Sequence, residues 1–191
     1  MFVALEGVDT SGKSTQIALL KEAYPNALFT KEPGGTSLGQ ALRQKVLHEH
    51  LSPATQFLLF LADRALHLEE VLKPNAHKLI FSDRSLISGL AYAPYPLEQA
   101  LELHRAHGLL DMLPGCVFLL KLQPKALKER LHAKTHDFIE SRGLEFLERT
   151  QERCEQACQL LGVYTYILDA SQPPKNLQQE ILDRLRATPG F

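Results

Sequence analysis

The amino-acid order predicts an α/β protein, a doubly wound parallel five-stranded sheet flanked by helices. Five short apolar runs alternate with helical stretches along 191 residues, the pattern of parallel strands joined by crossover helices. The first run, Met1 to Leu5, passes directly into Gly7-Val8-Asp9-Thr10-Ser11-Gly12-Lys13-Ser14-Thr15 and then into a helical pattern. Strand, glycine loop, helix is the arrangement of a phosphate-binding loop. A composition that is 45% hydrophobic suffices to bury a sheet on both faces. The length makes a single domain, residues 1–191, the expectation.

The elements follow in order. Ser14 to Tyr24 reads as a helix with Ile17, Leu19 and Leu20 as its apolar positions. Ala27 to Thr30 is a short second strand, ended by the forced turn Lys31-Glu32-Pro33-Gly34-Gly35-Thr36. Thr36 or Ser37 can cap the next helix, through about Glu49. Ser52-Pro53 starts another, predicted to reach Lys73 before Pro74 stops it, with Phe57, Leu61, Ala65, Leu68 and Leu72 as its stripe. Lys78 to Asp83 is the third strand, Cys116 to Leu122 the fourth and Tyr164 to Leu168 the fifth. Further helices are predicted near Leu97–His107, Pro124–Leu131, Gly143–Leu161 and Asn176–Ala187. The stretch 132–143 is polar, mixed in charge and weakly periodic; it reads either as a mobile cover over bound phosphates or as a solvated corner between two helices.

Bulk properties exclude several classes. A net charge of −1 supplies no global field for nucleic acid or membrane, so anion recognition must come from local cations. No run approaches the ~18 apolar residues of a membrane span. Three cysteines, with Cys154 and Cys158 one helical turn apart, fit a reducing compartment rather than a disulfide framework. A zinc site built on that pair lacks two further ligands. A cytoplasmic location is the expectation.

The chemistry must gather at the carboxyl ends of the strands. Gly7, Val8, Asp9, Thr10, Ser11, Gly12, Lys13, Ser14 and Thr15 form the loop whose N–H groups would cradle phosphate oxygens. Lys13 would bridge two phosphates, and the Ser14 hydroxyl would sit on Mg²⁺. Asp83, closing an apolar strand, resembles the acid that helps hold that metal. Arg84 beside it suggests a second anion nearby. A pair with Asp83 is the weaker reading, because neighbouring strand residues point to opposite faces. Phe60 and Arg64 share a helical face at i and i+4. They could stack on and donate to a nucleobase, or Phe60 could be core and Arg64 a surface partner. The eight histidines read as solvated.

Taken together, Gly7–Thr15, Lys31-Glu32-Pro33-Gly34-Gly35-Thr36, Phe60-Leu61-Ala62-Asp63-Arg64, Asp83-Arg84-Ser85 and Ser88-Gly89-Leu90-Ala91-Tyr92 resemble the thymidylate kinase family, in its bacterial type. The phosphate loop is common to many families; the E-P-G-G-T block with F-x-x-x-R and D-R is much more particular. The resemblance implies the fold of a nucleoside monophosphate kinase with a short lid. It implies ATP-dependent phosphorylation of dTMP to dTDP in dTTP synthesis, with Mg²⁺ and a homodimer joined through helices. It further implies that Phe60 stacks on thymine while Arg64 donates to its O4. Arg84 and Arg43 would hold the acceptor phosphate, near Lys31, Glu32 and Pro33. Asp9 would accept from the sugar 3′-hydroxyl, Ser88 would line the same site, and Tyr92 would crowd out a 2′-hydroxyl. Arg130 would cover the adenine.

Several positions depart from the family pattern. Lys31 replaces a more usual arginine, and Gly89 stands where a polar residue often helps read the base. The phosphate loop carries no arginine, and Phe138 occupies the lid position where the bacterial type places one. Arg142 or Lys134, or else another residue, is therefore expected to supply the cation at the transferring phosphoryl group, with Arg142 favoured because guanidinium can span two oxygens. The competing classes are a kinase for another nucleoside monophosphate, a P-loop switch and a nucleic-acid-binding ATPase. No N-K-x-D guanine signature supports the switch, and the neutral charge disfavours the ATPase.

Overall fold

The structure is a computed structural model describing residues 1–132 and 143–190. Its centre is β1 (Phe2–Glu6), every residue of which is buried. Around it run β2 (Leu28–Lys31), β3 (Ile80–Asp83), β4 (Cys116–Lys121) and β5 (Thr165–Asp169), all parallel in the order β2-β3-β1-β4-β5. All five predicted strands are present, with ends shifted by no more than two residues. The continuous apolar character of β1, β3 and β4 follows from cover on both faces.

Alternation along the strands divides the core in two. Phe2, Ala4, Ile80, Val117 and Leu119 face one layer, built with α3 (Pro53–His67), α4 (Leu86–Ala91), α5 (Leu97–Ala106) and the Cys154–Cys158 turn of α7 (Leu144–Leu161). Val3, Leu5, Phe81, Phe118 and Leu120 face the other, built with α1 (Lys13–Ala23), α6 (Pro124–His132) and α8 (Pro174–Ala187). Phe81 stacks on Phe29 at 5.2 Å between ring centres, within the range where offset rings attract. The chain leaves β1 toward one layer, through α1, and leaves β3 toward the other, through α4. Their carboxyl ends therefore diverge and open a crevice between adjacent strands, which is where open α/β sheets bind ligands.

Local chemistry explains the helix limits. Thr36 caps α2 (Ser37–His48) by accepting from the Gly39 N–H, and Ser52 caps α3 by accepting from that of Thr55. Gly162 ends α7 in the left-handed conformation at φ 64°, which costs glycine no steric strain. The expected single helix from Ser52 to Lys73 is not uniform. It is α-helical to His67, π-helical over Leu68–Leu72 and 3₁₀ over Lys73–Asn75. Pro74 has no N–H for the carbonyl four residues back, so the α ladder cannot pass through it, and the winding changes beforehand. The six-residue α4 has no counterpart among the predicted helices, being too short for periodicity to register. Ser85 starts it, accepting from the Ile87 N–H, and Arg153 of α7 donates to the carbonyls of Leu90, Ala91, Ala93 and Tyr95 at its far end. Among the described residues no helix is long and apolar enough to cross a membrane.

Candidate functional site: a two-chambered cleft

The loop between β1 and α1 is shaped by backbone that few side chains tolerate. Gly7 has φ 143°, and a Cβ there would sit 2.6 Å from the Leu120 carbonyl oxygen. No larger residue fits. Gly12 caps α1 at φ 94°, and Thr10 adopts φ 70° between them. These conformations carry the loop round onto the positive end of α1. The hydroxyls of Thr10 and Ser11 are buried without hydrogen-bond partners among the described residues. Lys13 is 6% exposed, and its Nζ donates to the Val8 carbonyl at 2.9 Å. Burial, with Arg84 close by, pulls its ammonium down to about 8. A cation held in this way gains from any anion entering the loop.

Arg84 forms the hinge of the site. It sits at φ 72°, immediately after β3. This turn corrects the alternation argument for Asp83 and Arg84: the pleat has ended, so both residues line the chamber beside the loop. They still form no ion pair. Arg84 instead reaches across, donating to the Gly7 carbonyl and to Asp9 Oδ1, both at 2.7 Å, and to Ser88 Oγ at 3.0 Å. Glu6, fully buried, accepts from Ser85 and Ser88 at 2.7 and 2.6 Å; burial nonetheless raises its carboxyl above the usual range. Glu6 is a positioning residue that motif reading missed, since it precedes the loop and looks like plain strand.

Two chambers meet at Arg84. The first is lined by Asp9, Thr10, Gly12, Lys13, Ser14, Lys31, Glu32, Arg43, Asp83 and Arg84. Asp83 Oδ1 is buried there with no hydrogen-bond partner among the described residues. An orphaned acid beside the Ser14 hydroxyl and a phosphate loop fits a hard divalent cation such as Mg²⁺, which takes few protein ligands beside phosphates. The second chamber is lined by Asp9, Glu32, Pro33, Arg43, Phe60, Arg64, Arg84, Ser88 and Tyr92, and also by Asp63, Gly89 and His104. Of the residues singled out for the acceptor side, all but Lys31 border this one space; Lys31 lines the loop chamber instead. Arg43 donates to the Pro33 carbonyl at 3.2 Å. The Tyr92 ring lies 5.2 Å from the Arg84 guanidinium carbon, a cation–π contact, and its hydroxyl is buried with no hydrogen-bond partner among the described residues. Burial raises that phenol well above its ordinary value.

Arg64 departs from expectation. It borders the chamber but is only 2% exposed. Its Nη1 donates to Glu32 Oε1 at 2.5 Å, and Nε and Nη2 donate to the carbonyls of Leu109, Asp111 and Met112. Four of five N–H groups are thus engaged within the protein, leaving one for a ligand. His67 joins the same oxygen of Glu32 at 2.6 Å through Nδ1 and meets Thr30 Oγ1 through Nε2. Burial alone would raise the Glu32 carboxyl, but Arg64 and His67 together hold it below its ordinary value. Asp63 accepts from the Gly34 N–H at 2.9 Å, and burial pushes it up to about 6. The reading of all eight histidines as solvated is therefore corrected. His67 and His104 are 0% and 2% exposed; His104 lines the second chamber, and His67 stands behind it, bonded to Glu32 and Thr30.

Arg130 donates to the Thr10 and Ala170 carbonyls at 2.9 and 2.8 Å, tying the phosphate loop to the turn after β5. Lys134, Phe138 and Arg142, and with them most of the predicted lid, lie outside the described residues.

Comparison with known proteins agrees with this geometry. The family described as thymidylate kinase matches residues 5–181. A thymidylate kinase of Wolinella succinogenes is 51% identical over 183 residues, 95% of this chain and 96% of that protein. One of Aliarcobacter butzleri is 44% identical, covering 97% and 98% of the respective chains. A solved thymidylate kinase structure from Ehrlichia chaffeensis superposes with a TM-score of 0.75 over 97% of this chain and 98% of its own, at 24% identity, and so shares the fold. A strand-borne phosphate loop, a second chamber beside it that carries three arginines, and near-complete sequence coverage converge: the chain belongs to the thymidylate kinase family and is a nucleotide kinase.

Proposed function

We propose that the loop chamber receives ATP and the adjoining chamber dTMP, and that the chain transfers the terminal phosphoryl group to give dTDP. The observation that carries this reading is Arg84, whose guanidinium borders both chambers and is held by Gly7 and Asp9 on one side and Ser88 on the other. A cation at that junction can hold the acceptor phosphate against the phosphoryl group being transferred. Phosphoryl transfer is loose and rich in charge, so positioning and cations carry the catalysis. Lys13 would relinquish the Val8 carbonyl for the donor's phosphates. Ser14 and Asp83 would hold Mg²⁺, which when bound neutralises phosphate charge. Arg43, with Lys31 nearby, would share the acceptor phosphate with Arg84. No strong base is needed, because the acceptor is already an anion.

At the other end of the chamber, Phe60 would stack on the base and the remaining Arg64 N–H would donate to a base carbonyl. Asp9 would accept from the sugar hydroxyl while Arg84 fixes it. Tyr92 would wall off the 2′ position, and Arg130 would cover the adenine. A single catalytic domain with a cover at about 132–143 is part of the reading, with Arg142, or failing it Lys134, as the cation over the transferring group. Location in the cytoplasm is supported by three free, buried cysteines. A homodimer joined through helices is part of the reading. The test is ADP release with ATP and a panel of dTMP, dUMP, dCMP, AMP and GMP. The reading predicts the highest kcat/KM for dTMP, and faster turnover on any other acceptor would overturn it.

A further inference from the structure

Arg64 has one N–H to offer a base, and a single donor to a carbonyl does not fix which pyrimidine enters, since thymine, uracil and cytosine all carry carbonyls. A second polar atom on the same wall is needed. Gly89, on α4, contributes no side chain to the chamber. A Cβ there would press on His104, whose Nε2 lies 3.2 Å from that position. His104 comes from α5, is 2% exposed and lines the chamber beside Arg64 and Phe60. Phe57 holds its ring edge-on at 5.7 Å.

The tautomer follows from its partner. Nδ1 lies 2.8 Å from the Ala100 carbonyl, which can only accept, so Nδ1 carries a proton. Burial pulls the imidazole below its ordinary value, so at neutral pH the ring holds only that one proton. Nε2 is then a bare lone pair, with no hydrogen-bond partner among the described residues. It is an acceptor facing a chamber whose other groups near the base end are a donor and an aromatic face.

Resting on the assignment of the base to this chamber, we propose that His104 Nε2 accepts from the imide N3–H of thymine and, with Arg64, selects that base. An acceptor beside a donor matches the N3–H and carbonyl of thymine. Cytosine offers its polar groups in the reverse order, a ring acceptor beside an exocyclic donor. Because the acceptor phosphate is anchored at Arg84, the base cannot turn over to correct the mismatch. Cytosine would place lone pair against lone pair and donor against donor, the kind of unpaired buried contact that discriminates strongly. The missing Gly89 side chain is what lets an imidazole from α5 reach this wall.

The experiment pairs a protein change with a substrate change. Steady-state kinetics are measured for the parent, His104→Ala, His104→Gln and Gly89→Ala, with dTMP, dCMP and N3-methyl-dTMP, which keeps both carbonyls and lacks the N3–H. The parent is expected to lose at least about 10-fold in kcat/KM on going from dTMP to the N3-methyl analogue, the scale for one hydrogen bond to a neutral group in a dry site. His104→Ala should show a similar loss on dTMP, almost none between the two substrates, and weaker rejection of dCMP. His104→Gln keeps an acceptor and should recover part of the difference. Gly89→Ala leaves His104 in place but pushes a methyl against Nε2, and should also depress kcat/KM for dTMP. The proposal is overturned if His104→Ala, or Gly89→Ala where that variant does not fold, keeps the parent's full difference between dTMP and its N3-methyl analogue. A parent that prefers another acceptor would instead fail the assignment of the chamber, a distinct result.

Discussion

Removing the Arg64 guanidinium should damage the fold before it damages recognition of any one substrate. Arg64 and Glu32 have side chains 3% and 8% exposed, so Arg64→Ala would leave a buried carboxylate facing His67 and a space where the guanidinium lay. Breaking one side of a buried ion pair costs about 3–5 kcal/mol, a large part of the ~5–15 kcal/mol that holds a domain together. Urea unfolding, with a slope of ~1–3 kcal/mol/M for small domains, should register a fall in midpoint of at least ~1 M. Adding Glu32→Gln removes the stranded charge, so the double variant should be more stable than the sum of the two single effects, by roughly 0.5–3 kcal/mol. Arg64→Lys should not restore stability, because an ammonium cannot reach the Glu32 carboxylate and three carbonyls in the guanidinium's fork geometry. An Arg64→Ala protein within about 1 kcal/mol of the parent would refute the buried-network reasoning and return Arg64 to the role of a plain ligand group.

Three further outcomes are expected. Lys13→Ala should retain its fold and lose roughly 10²–10³-fold in kcat, the scale for one preorganised donor to developing charge; turnover near the parent's would contradict the assignment of the loop. Asp63 has a folded value of about 6, above its ordinary 3.8, so its contribution to stability is present below the ordinary value and is lost as pH rises through about 6. Asp63→Asn, which keeps an acceptor for the Gly34 N–H, should therefore stabilise the protein at pH 7.5, by at most ~3 kcal/mol, and by about half as much at pH 5, and denaturant midpoints at the two values check the sign. Arg142→Ala should lower kcat by ~10³-fold or more while leaving dTMP affinity without ATP unchanged, and Lys134→Ala acting in its place would move the transferring cation to the lysine.

What the sequence reveals here is what depends on short-range pattern. Five strands are legible because burial on both faces turns each into an apolar run, and the loop from Gly7 to Ser14 because its glycines meet a backbone demand. The i, i+4 spacing of Phe60 and Arg64 correctly put both on one wall. The partners of Arg64 were not legible: Glu32 lies 32 residues away, and nothing in either segment's periodicity marks the pair. His67 and His104 hid for the same reason, since imidazoles on otherwise amphipathic helices look alike whether they face water, a cleft or a buried carboxylate. The expectation that Asp83 and Arg84 diverge failed because alternation holds only within a strand, and Arg84 leaves β3 at φ 72°. Six residues of α4 are too few to carry a helical period, although Ser85 was available as its cap.

The division of labour between the chambers is tested most directly by a crystal structure of this chain with dTMP and a non-hydrolysable ATP analogue. The account predicts triphosphate oxygens among the N–H groups of Gly7–Ser14 and at Lys13 Nζ, the dTMP phosphate at Arg84, and thymine on Phe60 with its edge toward Arg64. Thymine bound elsewhere, or a dTMP phosphate out of reach of Arg84, would contradict it.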